Sequence, residues 1–205
     1  EALAHLLRHD TAYGLYDHKV EAAKDSLLVD GNKVHVYAEK DPTKLPWKDQ
    51  KIDIVLECTG RFTSEDGAGQ HIKAGAKGVI ISAPAKGGVV PTYVLGVNHA
   101  KLGKKHKIIN NASCTTNSVA PVLAILQEKI GIEKAGMITA HGYTASQNLV
   151  DGPNDHDMRR GRAAAINIVP STTGAAKAVV QSLPILEGKF DAVAIRVPTI
   201  TGSLS

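Results

Sequence analysis

The sequence predicts an α/β protein, with a parallel-sheet domain over residues 1–113 followed by an α+β domain over residues 114–205. Three observations carry that prediction. The first half alternates short apolar runs with amphipathic segments, the strand–helix–strand order that builds parallel sheets. The pattern changes at Cys114, where an apolar run meets a helical one and a long polar segment follows. Composition is that of a folded globular chain, 43% hydrophobic and 21% charged, and 205 residues leave room for one large or two small domains.

Taken in order, residues 52–57 form an apolar run that reads as a strand and ends in Cys58-Thr59-Gly60. Cys58 is expected to be a small buried hydrophobe. Ser64 caps a helix that runs to about Ala74 and stops at Gly75. Residues 78–82 make the next strand, closed by Pro84, and Tyr93-Val94-Leu95-Gly96-Val97 and Lys107-Ile108-Ile109 supply two more. Beyond Cys114, the residues Val119, Val122, Leu123 and Leu126 recur at the spacing of a buried helical face. Residues 135–140 read as a buried strand. The segment 147–162, with Asp151-Gly152-Pro153-Asn154-Asp155 inside it, holds too many turn-formers for regular structure, and loops of that length are uncommon unless functional. Ser171-Thr172-Thr173-Gly174-Ala175 leads into a helix over residues 176–180, and residues 193–197 are an apolar strand.

Composition narrows the function classes. The net charge of +4 is modest, and the basic run Lys101-Leu102-Gly103-Lys104-Lys105-His106-Lys107 reads as a solvated turn, so no nucleic-acid partner is expected. The longest apolar stretches fall well short of a membrane span. No metal-ligand motif is read. The two cysteines, Cys58 and Cys114, sit in contexts that argue against a disulfide, which favours a reducing cytoplasm.

Chemistry concentrates around Cys114. An inert core cysteine would have apolar neighbours; here Asn111-Ala112-Ser113-Cys114-Thr115-Thr116-Asn117 surrounds it with hydroxyls and amides. Ser113 and Thr115 are candidate caps of the helix that follows, which puts the thiol at a helix start, where unpaired N–H groups and the helix dipole favour a thiolate and can hold an oxyanion. A nucleophilic cysteine needs a base, and His141 emerges at the end of the predicted strand at 135–140. Ser171, Thr172 and Thr173 gather at a helix start, the setting of either an ordinary cap or a phosphate site. Arg196 lies inside an apolar strand, so its charge calls for an anionic partner, a carboxylate or a substrate phosphate. Thr59, Gly60 and Ser82 stand at strand ends, where a parallel sheet binds its ligand, although Thr-Gly there is also a common turn.

These motifs resemble those of the phosphorylating glyceraldehyde-3-phosphate dehydrogenases. The resemblance rests on Ala112-Ser113-Cys114-Thr115-Thr116-Asn117 and His141-Gly142-Tyr143-Thr144, and extends over Cys58-Thr59-Gly60-Arg61-Phe62, Ile80-Ile81-Ser82-Ala83-Pro84, Asp157-Met158-Arg159-Arg160-Gly161-Arg162, Ser171-Thr172-Thr173-Gly174-Ala175-Ala176-Lys177 and Ile195-Arg196-Val197-Pro198-Thr199. It implies a partial Rossmann-like domain followed by part of the catalytic domain. The glycine-rich turn and ribose-binding acid with which that family opens are not in this sequence: Glu1-Ala2-Leu3-Ala4-His5-Leu6-Leu7 resembles a helix downstream of both, and the sequence reads as an internal piece of a longer enzyme.

By resemblance, Cys114 is the nucleophile and His141 the base. Thr144 and Arg196 hold the substrate's phosphate, while Ser113, Thr115, Thr173 and Gly174 receive inorganic phosphate with Arg160 nearby. Thr59, Gly60 and Ser82 lie along the cofactor, and Lys40 sits near its adenine end. The implied cofactor is NAD, by family habit, because the residue that selects it over NADP would lie upstream of Glu1. The implied substrates are glyceraldehyde 3-phosphate and inorganic phosphate. The implied assembly is a homotetramer, in which the segment 147–162 packs on a neighbouring subunit. Two alternatives stand beside this reading: an erythrose-4-phosphate dehydrogenase, whose product is released by water, and a non-catalytic fragment.

Overall fold

A computed structural model describes all residues except Gly88, Val89, Lys104 and His156, so Lys104 of the basic run and His156 of the polar segment lie outside the described residues. The chain divides into two compact units, Glu1–Leu45 and Pro46–Ser205.

The first unit opens with helix α1 (Ala2–Arg8), followed by the paired strands β1 (His9–Asp10) and β2 (Gly14–Leu15). An antiparallel meander follows, made of β3 (Val20–Ala23), β4 (Ser26–Val29) and β5 (Asn32–His35). The strand–helix alternation expected of the first half therefore does not hold over residues 9–35. Asp30 and Gly31, at φ 49° and 79°, form the β4–β5 turn, and two positive φ values in a two-residue hairpin loop are what Asp-Gly supplies at least strain.

The second unit contains the parallel sheet. Strands β6 (Ile54–Glu57), β7 (Gly78–Ile81) and β8 (Ile108–Asn110) lie side by side in that order, with α2 (Glu65–Lys73) crossing from β6 to β7. The ends of α2 follow from local chemistry. Ser64 Oγ accepts the Gly67 N–H at 3.1 Å, and Gly75, at φ 108°, turns the chain out of the helix. Val55, Ala68, Ala76, Val79 and Ile81 close one core between sheet and helix. β6 buries only alternate residues, Val55 and Glu57, and by that period-two rule Cys58 falls on the open face with Ile54 and Leu56. Cys58 is accordingly exposed, not the buried hydrophobe expected.

Residues 93–97 are a turn and not a strand. Gly96 adopts φ 82°, and the Asn98 side chain accepts the Val94 N–H at 2.8 Å and donates to the Thr92 carbonyl at 2.9 Å, which folds the chain back before a ladder can form.

Helix α3 (Cys114–Lys129) carries the chain from the parallel sheet to a mixed one of order β10-β11-β9-β12, built from β9 (Ala135–Gly142), β10 (Val169–Ser171), β11 (Phe190–Val197) and β12 (Ser203–Leu204). β9 and β11 run parallel, with Thr139 opposite Ala194 and His141 opposite Arg196. Helix α4 (Ala175–Ser182) packs on α3 around Ala120, Leu123, Ala178, Val179 and Leu186. The buried stripe of α3 runs through Thr116, Ala120 and Leu123, so Val122 and Leu126 face outward, contrary to the spacing argument. Apolar residues surround this helix on several sides, and the neighbour that α4 provides, not the spacing, selects the face. β9 is likewise half-buried, with Met137 and Thr139 inward and Ile138 outward. Among the described residues, the segment 147–162 is irregular apart from one 3-10 turn at Met158–Gly161.

Candidate active site

Ser113 is the N-cap of α3: its Oγ accepts the Thr116 N–H at 3.1 Å, which places Cys114 at the first helical position. Thr115, the other candidate cap, is instead buried on the helix. Ala112 precedes the cap at φ 62°, a conformation non-glycine residues rarely take, and is fixed there by full burial and by its N–H donating to Asn110 Oδ1 at 3.1 Å. Asn117 Nδ2 ties the entry loop by donating to the carbonyls of Asn111 and Ser113 at 2.6 and 2.9 Å. The thiol is thus held at a rigid turn with its sulfur exposed beside the positive end of a 16-residue helix.

His141 reaches it from the end of β9, with Nε2 lying 3.4 Å from Cys114 Sγ. Its Nδ1 faces the Gly142 carbonyl at 2.7 Å and Arg196 Nη1 at 2.9 Å. A guanidinium only donates, so one tautomer cannot satisfy both contacts. With Nδ1–H on the Gly142 carbonyl, Arg196 donates to that same oxygen at 3.0 Å, and Nε2 turns its lone pair toward the sulfur.

Arg196 stands on the neighbouring strand in register with His141. Among the described residues no carboxylate pairs with it, so the carboxylate partner allowed by the sequence is not found. Burial and the nearby charge of Arg160 pull its pKa below the usual guanidinium value, opposed by Cys114. A partly desolvated guanidinium near a second positive charge is a setting that favours an anion.

A cavity of about 180 Å³ joins these groups. Ser113, Cys114, Thr115, His141, Thr173, Gly174 and Arg196 all line it, so seven of the predicted residues converge. Thr173 Oγ1 accepts the Ala175 N–H at 3.1 Å at the start of α4. Two residues expected to hold phosphate, Thr144 and Arg160, stay outside the cavity wall. Thr144 is exposed, with its hydroxyl 3.0 Å from that of Ser146, and Arg160 donates from Nη2 to Ser171 Oγ at 2.8 Å while its buried Nε finds no partner among the described residues. Thr172, named with Thr173 as a candidate phosphate group at the helix start, lines the cavity too, whereas Thr139, Pro84 and Ala194 line it without having been singled out in the sequence. Thr139 and Ala194 were within reach of sequence reasoning, since each lies two residues before His141 or Arg196 on the same strand face.

Thr59, Gly60 and Ser82 occupy the carboxyl ends of β6 and β7 and are exposed, Gly60 at φ 72°. Thr59 N–H donates to Glu57 Oε1 at 2.7 Å, and the Thr59 hydroxyl bonds the same oxygen. Ser82 is tied to Glu57 as well, through its N–H and hydroxyl to the Glu57 carbonyl at 3.0 and 3.2 Å. Lys40 belongs to the first unit, exposed on a turn where the Asp41 N–H donates to Glu39 Oε1 at 2.9 Å.

Fold and site together define an α/β protein with a cysteine–histidine centre beside a wall of hydroxyls and one guanidinium. Residues 113–205 match the family model of the C-terminal domain of glyceraldehyde 3-phosphate dehydrogenase, and residues 1–65 match that of its NAD binding domain. The chain is similar to glyceraldehyde-3-phosphate dehydrogenase of Clostridium pasteurianum, 49% identical over 99% of this chain and 61% of that protein. It is also similar to the chloroplastic A enzyme of Scenedesmus vacuolatus, 51% identical over 96% of this chain and 62% of the relative, and to the Mycoplasma pneumoniae protein, 54% identical over 87% and 53%. The chain thus spans about 60% of the length of the first relatives it matches. It belongs to the glyceraldehyde-3-phosphate dehydrogenase family.

Proposed function

We propose that the protein oxidises glyceraldehyde 3-phosphate to 1,3-bisphosphoglycerate with NAD and inorganic phosphate. The observation that carries this reading is the 3.4 Å approach of His141 Nε2 to Cys114 Sγ in a cavity also lined by Arg196 and by the hydroxyl-bearing residues that lead into α4. An aldehyde does not give up hydride readily until a nucleophile has made it tetrahedral. Cys114 Sγ adds to the carbonyl carbon while the thiol proton passes by way of His141 Nε2 to the carbonyl oxygen. His141 Nε2 then takes that hydroxyl proton back as the hydride leaves, the C=O re-forms, and a thioester remains on the sulfur. When bound, NAD supplies the acceptor for that hydride.

The ends of β6 and β7 suit a dinucleotide: Gly60 has open space where a Cβ would sit, and Thr59 and Ser82 are exposed at the edge where parallel sheets bind ligands. Arg196 and Thr144 take the substrate's own phosphate. Ser113, Thr115, Thr173 and Gly174, with Arg160 behind them, receive the inorganic phosphate that attacks the thioester. In this reading the polypeptide divides functionally at Ser113/Cys114, with the cofactor side before it and the chemistry after it.

We place the protein in the cytoplasm, in keeping with its two free thiols, and infer a homotetramer. Leu149, Val150 and Met158 support the assembly, for they are 71–86% exposed on the segment 147–162 expected to meet another subunit.

The test is formation of reduced cofactor by the purified protein with glyceraldehyde 3-phosphate, with and without inorganic phosphate. Phosphate-dependent turnover is expected. Turnover of erythrose 4-phosphate that persists without phosphate would assign the water-consuming reaction instead, and light scattering on the same sample checks the tetramer.

A further inference from the structure

Beneath the cofactor-side edge lies a buried polar chain that the mechanism above does not use. Glu57 is 2% exposed and His71 5% exposed. Glu57 Oε2 lies 2.9 Å from His71 Nε2, and Trp47 Nε1 lies 3.0 Å from His71 Nδ1. An indole N–H only donates, so His71 Nδ1 accepts, its proton resides on Nε2, and that proton points at Glu57. From the other side, Thr59 donates both its N–H and its hydroxyl to Glu57 Oε1. The chain is therefore directional: donors approach Glu57 from both ends, and only a side chain that accepts with two oxygens completes it.

We propose that Glu57 is the positioning residue of the cofactor edge, fixing the Thr59-Gly60 turn through its carboxylate and Ser82 through its backbone carbonyl. The proposal deepens the functional reading and rests on it in one respect, that Thr59 and Gly60 face the dinucleotide. Thr59 and Ser82 come from the ends of two different strands, yet both report to this one residue. The two ties are separable. Changing the Glu57 side chain removes the hold on Thr59 and leaves the Ser82 hydrogen bonds to the backbone in place.

Glu57→Gln makes the directionality visible. If the amide oxygen turns to Thr59, its NH2 meets the His71 N–H; if it turns to His71, the NH2 meets the Thr59 N–H. Shifting the His71 proton to Nδ1 relieves the first conflict only by setting it against the Trp47 N–H. Each arrangement leaves one pair of donors opposed. Trp47→Phe removes that last obstacle, so the double variant recovers a consistent chain.

The experiment is amide hydrogen exchange on the wild type, Glu57→Gln, Trp47→Phe and the double variant, together with KM for NAD and kcat. In Glu57→Gln, exchange at residues 59–61 is expected to rise about tenfold or more, the loss of hydrogen bonds to a charged acceptor, while Ser82 stays unchanged. KM for NAD is expected to rise by a similar factor with kcat within about twofold. Trp47→Phe alone changes neither readout, and added to Glu57→Gln it restores most of both.

Equal rises at residues 59–61 and Ser82 would show general loosening and overturn the proposal, as would an unchanged turn. If Glu57→Gln does not fold, the nitrogen-15 spectrum of wild-type His71 decides: a pyridine-like Nδ1 with a pyrrole-like Nε2 supports the chain, and the reverse overturns it. A wild type without NAD-dependent turnover would count against the functional reading, while the exchange pattern still decides the role of Glu57.

Discussion

At the residue scale, two thiols compete for the role of nucleophile, and exposure does not separate them, because Cys58 and Cys114 are both accessible. What separates them is setting. Cys114 begins a capped helix 3.4 Å from an imidazole, whereas Cys58 follows a strand whose neighbouring carboxylate is already committed to Thr59 and His71. Limited alkylation with iodoacetamide, mapped by peptide mass, is expected to modify Cys114 first; earlier modification of Cys58 would refute the assignment. His141→Asn keeps a polar side chain near the sulfur and removes the base, so kcat is expected to fall about 10²–10⁴-fold in steady-state assays. That substitution leaves Arg196 on the neighbouring strand, so a large change in the Michaelis constant for the aldehyde would argue that His141 chiefly shapes the anion site.

At the element scale, α2 shows how far local chemistry reaches. Ser64→Ala removes the acceptor of the Gly67 N–H and is expected to cost about 1 kcal/mol in urea denaturation. Gly75→Ala places a Cβ 2.5 Å from Lys48 Cβ and 2.8 Å from its backbone, at a φ of 108° that side chains avoid, and is expected to destabilise by more than about 1 kcal/mol. Both ends of this helix were legible in the sequence because a serine cap and a positive-φ glycine act within a few residues of their effect. The same locality explains the failures. Residues 93–97 have a strand's composition, but Asn98 reaches back to Val94 and Thr92 and closes a turn. The meander over residues 20–35 carried a usable Asp-Gly signal that the strand–helix reading overrode. For α3 the residues present apolar groups on several sides, and only its packing on α4 selects Ala120 and Leu123 over Val122 and Leu126.

At the scale of the whole molecule, the site was legible as residue types and not as geometry. Cys114 and Arg196 meet because β9 and β11 pair in parallel with His141 opposite Arg196, a register no local pattern encodes. Glu57 was read only as part of an apolar run, since its partners are two and fourteen residues away and Trp47 lies twenty-four residues from His71. Hydrogen bonds hold several carboxylates in their charged form. His18 holds Asp30, Thr43 holds Asp41, and Arg159 holds Asp157 below the usual carboxylate range. Asp30 is exposed and Asp41 and Asp157 are half-buried near the surface, where such interactions contribute little.

Glu57 differs because it is buried. Burial pushes its pKa up, but the Thr59 hydroxyl, His71 and the Thr59 N–H outweigh burial and hold it below the usual value. A carboxylate whose pKa is lowered by folding stabilises the fold fully above its unfolded value of about 4.3, and that contribution disappears as the pH falls through the lower folded value. Glu57→Gln resembles the protonated wild type, since each carries a donor where the chain needs an acceptor. Thermal unfolding followed from about pH 6 to about pH 3 is therefore expected to show wild type and Glu57→Gln well separated at the upper end and converging at the lower. Asp30, Asp41 and Asp157 titrate in both proteins and cancel from the difference. Curves that stay parallel across the range would mean that the buried carboxylate contributes nothing through its charge.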